Sequence, residues 1–143
     1  MEIKVLPNLS VQGSVRLAGV LDDVRLQRLQ ELYEMVPSIQ CKKSCHECCG
    51  AHPWFPIEAV NIKRFMLKYD IRERHAGSLL DMCPYIESDG CLIYPVRPIL
   101  CRLFGVVRHG DYVADMECPF VSKPERMLSE EESDRILDEV KML

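Results

Sequence analysis

The sequence predicts a small α+β domain, mostly helical with short β-hairpins and irregular in between. Three observations lead there. Apolar residues recur at helical spacing in the first third of the chain and again in its tail. The middle carries short apolar runs punctuated by Asp-Gly and Pro. Eight cysteines, too irregularly placed for regular elements, fall in two groups between these segments.

The first helix is expected over Leu21–Val36. Leu21, Val24, Leu29, Leu32 and Val36 recur every three to five residues, with Arg25, Arg28, Gln30 and Glu34 between them. Asp22 suits an N-cap and Pro37 a stop. Ahead of it, Glu2–Gly19 shows short alternations (Ile3, Val5; Val11, Gly13, Val15, Leu17) broken by Pro7. That pattern reads as an irregular arm or a weak hairpin and does not choose between them. A second helix is expected to open at Pro56, which suits a first-turn position, with Ile57, Val60, Phe65 or Met66, and Tyr69 on one face. Lys63, Arg64 and Lys68 then fall on the solvated face, and Ile71–Met82 reads as a short continuation.

From Cys83 the texture changes to two short strands around an Asp-Gly turn at Asp89-Gly90, with Pro95 and Pro98 ending the run. Gly105–Val107 and Tyr112–Val113 read as a second hairpin about His109-Gly110-Asp111. Ser129–Leu143 reads as an amphipathic helix carrying Ile136, Leu137 and Val140. Trp54, Phe55, Tyr85, Tyr94 and Phe104 are expected to pack around the cysteines.

A chain of 143 residues, 48% of them apolar, suits a single domain over 1–143 with its own core. The formal net charge of −4 argues against a general nucleic-acid binder, so no nucleic-acid partner is expected. Glu2 and Lys4 interrupt the first residues, and Val15–Leu21 contains Arg16 and runs into Asp22 and Asp23. A secretory signal is therefore not expected. No run approaches the roughly 20 apolar residues that cross a bilayer, so no membrane association is expected and the expected address is cytoplasmic. In a reducing compartment, clustered cysteines bind metal or do redox chemistry rather than pair as disulfides.

The first cluster is Cys41-Lys-Lys-Ser-Cys45-His-Glu-Cys48-Cys49-Gly50. Gaps of two and three residues let one tight loop bring several thiolates within the ~2.3 Å that a zinc–sulfur bond requires. Adjacent Cys48 and Cys49 do not easily reach one metal from extended backbone, so one of them suits a second metal or a second cluster position. The other group is Cys83, Cys91, Cys101 and Cys118. Cys83-Pro84 and Cys118-Pro119 place a proline after the thiolate, as bacterial ferredoxins do. Cys91 is expected just past the Asp-Gly turn, facing Cys83. A four-thiolate site carries about two net negative charges, which Arg97 and Arg102 can offset as cofactor-binding residues. Region 41–119 thus reads as the metal-binding part, tying the irregular domain together.

Sharper motifs fit less well. Cys41-x3-Cys45-x2-Cys48 has the radical S-adenosylmethionine spacing, but the chain is too short for the barrel that hosts that chemistry. Cys45-His46 lacks the Cys-x-x-Cys-His of c-type haem. Cys45-His-Glu-Cys48 lacks the strand-to-helix setting of a thioredoxin-like exchange site. His46, His52, His75 and His109 are spare donors.

The combination of Cys41-x3-Cys45-x2-Cys48-Cys49 with Cys83-Pro84, Cys91-Leu-Ile-Tyr94, Arg97-Pro98-Ile-Leu-Cys101-Arg102 and Cys118-Pro119 resembles the YkgJ-like CxxCxxCC cysteine-cluster family. Here the first gap is three residues where the family's short name has two. The resemblance implies that all eight cysteines serve zinc or iron. Members are often labelled iron–sulfur oxidoreductases, and a related segment occurs in a bacterial flagellin lysine methylase resembling an iron–sulfur protein. The expectation is an iron–sulfur protein of 4Fe–4S type, as an oxidoreductase or a cluster-dependent modifying enzyme acting on an unidentified protein or small-molecule partner. The alternatives are a structural zinc adaptor without catalysis, and metal storage or delivery.

Overall fold

The computed structural model describes residues 11–39, 53–73, 83–87, 90–108 and 124–143. Within them, four helices and one two-stranded antiparallel sheet form the α+β arrangement expected from the sequence. Helix α1 spans Val11–Met35 and α2 spans Pro56–Tyr69. Strands β1 (Ile86–Glu87) and β2 (Gly90–Cys91) form a hairpin, followed by a 3-10 turn at Tyr94–Val96 and the short helix α3 (Ile99–Leu103). Helix α4 spans Glu130–Met142.

Helix α1 corrects the expectation at its front. The segment from Val11 to Gly19 is helical rather than an arm or hairpin, and Asp22 lies inside the helix instead of capping it. A four-position alternation such as Val11, Gly13, Val15, Leu17 is too short to separate strand from helix. Gly13 and Gly19 weaken a helix by about 1 kcal/mol each without forbidding it. The expected stripe is buried only in its second half. Leu29, Leu32 and Val36 are at most 8% exposed, whereas Leu21 is 49% and Val24 64% exposed. Periodicity shows which residues share a face; burial also requires a neighbouring element to cover it.

Helix α2 begins with Pro56 as expected and ends where Asp70 turns left-handed at φ 50°. The Ile71 N–H bonds back to the Met66 carbonyl at 2.9 Å. Ile71–Glu73 are not helical, and the remainder of the expected Ile71–Met82 helix lies outside the described residues. The buried face of α2 is Ile57, Glu58 and Ile62; Tyr69, expected on it, is 56% exposed. Lys63, Arg64 and Lys68 are exposed as expected. Arg64 also reaches α1, 2.6 Å from an Asp23 oxygen.

Helix α4 is opened by a reciprocal cap. The Glu132 N–H donates to Ser129 Oγ at 3.2 Å, and the Ser129 N–H donates to Glu132 Oε2 at 2.9 Å. Glu130, Glu131 and Glu132 in its first turn and Lys141 in its last complement the helix dipole. Ile136 and Val140 bury against α1 and α3 in the main core, which α2 joins through Ile57 and the Val106–Val107 strip through both residues. Val107 forms a parallel bridge with Leu128, whose N–H bonds the Val106 carbonyl at 2.7 Å. The expected partner arm, Tyr112–Val113, and the turn at His109-Gly110-Asp111 lie outside the described residues.

A smaller cluster of Ile62, Tyr85 and Ile93 forms beside the main core, packed by Trp54, Met66, Cys83 and Cys91. Burying each large side chain contributes roughly 1.5–3 kcal/mol.

A Cβ added at Gly19 meets no atom within 4 Å, and Gly19 lies inside α1. Gly19→Ala is expected to stabilise the fold by about 0.5–1 kcal/mol, read as a higher denaturation midpoint.

Candidate metal centre

The sulfur-bearing segments are positioned by the hairpin and by α3. In the hairpin, Ile86 pairs with Cys91 and Glu87 with Gly90. Gly90, expected inside the turn, is therefore a strand residue, at φ 136° where only glycine is comfortable. The pairing continues outward, with the Leu92 N–H on the Tyr85 carbonyl at 2.9 Å. On the other arm the Ile86 N–H closes a turn onto the Cys83 carbonyl at 3.3 Å. Cys83 and Cys91 are half-buried, and both pack on the Ile62–Tyr85–Ile93 cluster.

Cys101 sits mid-way along α3, half-buried, with its N–H bonded to the Pro98 carbonyl at 3.0 Å. Pro95 and Pro98 follow the strand run, which ends at Cys91, and both also sit at the starts of helical turns. Pro95 lies in the first positions of the 3-10 turn and Pro98 caps α3. Their fixed φ suits the start of a helix, where an N–H has no partner anyway.

Cys83, Cys91 and Cys101 hold no disulfides. Cys41, Cys45, Cys48, Cys49 and Cys118, and the four histidines, lie outside the described residues. Among the described residues no three Cys, His, Asp or Glu side chains gather as a metal site. The borders of the first cluster are described: Ile39 packs on the main core, and Trp54 stacks on Tyr85 with ring centroids 5.6 Å apart. Tyr85 is fixed in turn by its hydroxyl, which donates to Glu73 Oε1 at 2.6 Å.

The residue that sequence reasoning missed is Glu58, fully buried. Its Oε1 accepts from the Tyr33 hydroxyl at 2.8 Å and from the Ile99 N–H at 2.5 Å. Its Oε2 accepts from the Phe55 N–H at 3.1 Å. One carboxylate thus ties α1 to the first turns of α2 and α3. The local part of this was legible, because a Glu at the third position after a helix start is half of a capping box. Nothing local points to Tyr33 or Ile99.

Arg97 and Arg102 are oriented by carbonyls and rings. Arg102 donates to the Arg97 carbonyl at 2.8 Å and the Pro95 carbonyl at 2.9 Å, and lies 3.9 Å from the Tyr33 ring centre. Arg97 donates to the Tyr94 carbonyl at 3.0 Å and lies 3.9 Å from the Tyr94 ring centre. Burial, and then the neighbouring Arg97 charge, lower the proton affinity of Arg102 below the usual guanidinium range. Burial, and then the Glu58 charge, push the Tyr33 hydroxyl well above the ordinary phenol value.

The fold and these placements define a small, mostly helical α+β domain carrying half-buried thiols on a hairpin and a short helix. The chain belongs to the CxxCxxCC family, described as "Putative zinc- or iron-chelating domain", whose family model matches residues 40–127 and so spans all eight cysteines. Comparison with curated proteins and with solved structures finds no match. Among the described residues, no helix is long and apolar enough to cross a membrane.

Tyr33→Phe removes one donor from Glu58 and is expected to cost about 1.5–3 kcal/mol, the range for a hydrogen bond to a charged group. Glu58→Ala strands three donors and should cost more, both read by chemical denaturation. Tyr33 also makes stability pH-dependent. Its folded-state pKa lies above the unfolded value of 10.0, so its contribution is intact below that pH and declines as the pH rises beyond it. Tyr33→Phe should flatten that alkaline decline.

Proposed function

We propose that this chain is an iron–sulfur protein of 4Fe–4S type. Its ligands are drawn from Cys41, Cys45, Cys48 and Cys49 on one segment and Cys83, Cys91, Cys101 and Cys118 on the others. One observation carries this reading: the chain leaves the first cysteine segment at Trp54, whose ring stacks on Tyr85, in the hairpin that bears Cys83 and Cys91. Only four residues separate Cys49 from Trp54, so its Cα is tethered within roughly 18 Å of the Trp54 Cα, beside the same hairpin. The donor chemistry agrees, since soft thiolates favour iron–sulfur clusters or zinc over hard cations.

Iron–sulfur is preferred to zinc because the spacing lacks the paired Cys-x-x-Cys knuckles common in structural zinc sites. Arg97 and Arg102 contribute positive charge near Cys101 and offset part of the charge of the thiolates. A cytoplasmic, reducing setting keeps the cysteines available as ligands.

Anaerobic purification is expected to give a brown protein with iron and acid-labile sulfide in equal amounts. A colourless protein holding zinc and no iron would sink the iron–sulfur assignment in favour of a structural zinc domain. Cys101→Ser and Cys45→Ser should each lower metal content and stability together, because ligands from distant segments couple metal binding to folding. Unchanged metal and melting in both variants would remove the shared site.

A further inference from the structure

The end of α1 and the Tyr94–Leu103 segment enclose a cleft of about 350 Å3. Tyr33, Glu34, Pro37 and Ser38 line it from the first, and Arg97 and Arg102 from the second. Its size is at the small end of the range for ligand pockets.

Two guanidiniums in one cleft are an unusual expense, because like charges repel and burial penalises each. Elsewhere on this surface arginines meet carboxylates: Arg28 meets Glu31 and Glu139, Arg64 meets Asp22 and Asp23, and Arg126 meets Glu132. Among the described residues, the contacts that orient Arg97 and Arg102 are instead to main-chain carbonyls and aromatic rings and, for Arg102, to the Tyr33 side chain, with the buried Glu58 carboxylate acting on Arg102 only through space. A guanidinium carries five N–H donors. These main-chain contacts engage two on Arg102 and one on Arg97, so the main chain saturates neither fork. Both forks are held in place before any ligand arrives, which lowers the ordering cost of binding.

We propose that this cleft binds a small oxyanion, a carboxylate or phosphate group of a metabolite-sized molecule, through Arg97 and Arg102. The guanidinium fork matches both groups in geometry and charge. Ser38 adds a hydroxyl at the edge. Exposed Glu34, whose carboxylate accepts from Gln30 at 3.2 Å, opposes the anion and limits how much negative charge the cleft accepts. The inference does not depend on which metal the cysteines hold.

The test titrates the metal-loaded full chain with inorganic phosphate and, separately, with succinate, by calorimetry. Metal content is measured on the same samples, so that failure of the metal site and failure of the anion site are read apart. Saturable binding at one per chain is expected, weakened about tenfold or more by Arg97→Gln and tightened by Glu34→Gln. Binding of phosphate alone or succinate alone supports the proposal and names the group. The proposal is overturned by no saturable binding of either probe to the wild type. It is equally overturned by affinities that neither substitution changes. Should Arg97→Gln lose its metal, Glu34→Gln decides, because Glu34 is exposed and its named hydrogen bond is to Gln30 in the same helix.

Discussion

A carboxylate removed from water is tolerated only where donors replace the lost hydration, and leaving it without them costs several kcal/mol. Glu58 meets that condition with three donors from three places in the sequence: a hydroxyl on α1, and an N–H at the front of α2 and another at the front of α3. The two N–H groups are among those that a helix start leaves without an internal partner. The same bonds therefore stabilise the carboxylate and complete two helix ends. Arg102 adds a further layer by stacking on the ring whose hydroxyl Glu58 holds.

That arrangement matters for the thiols because of what it borders. Trp54 and Phe55, where the chain leaves the first cysteine segment, are pinned through the Phe55 N–H. Cys101 lies two residues beyond Ile99, in the helix whose first turn Glu58 holds. Cys83 and Cys91 rest on the adjoining small cluster, joined to Trp54 through its stacking with Tyr85. The protein frame thus fixes the border of the first cysteine segment and the places of Cys83, Cys91 and Cys101 through its own packing and hydrogen bonds. A small domain with a divided core gains from this, since its apolar burial alone leaves a narrow margin.

Legibility in the sequence followed how local each cause is. Pro56, Ser129 with Glu132, and the helical spacing around Leu29, Leu32, Ile136 and Val140 carry their own instructions, and the structure follows them. The hairpin was visible, but its turn was displaced by one residue because Gly90 serves as a strand position. The front of α1 was misread because a few alternating residues do not separate two periods. The buried face of α2 was only partly legible: Ile57 is on it as expected, but Tyr69 is exposed and Glu58, whose partners lie on other elements, is buried. Helix α3 was missed because five residues between prolines give no periodic signal.

By itself, then, the amino-acid order determined the α+β class, the end of α1, the starts of α2 and α4, and the cysteine pattern that places the chain in its family, all of which depend on neighbours within a turn or two or on residue chemistry. Only the tertiary structure decided that Glu58 is the buried tie among α1, α2 and α3, that Trp54 joins Cys83 and Cys91 at one small cluster, and that Arg97 and Arg102 share a cleft with the end of α1. These pairings link residues tens of positions apart. Their energies depend on which surfaces meet once water is excluded, and no local pattern encodes that.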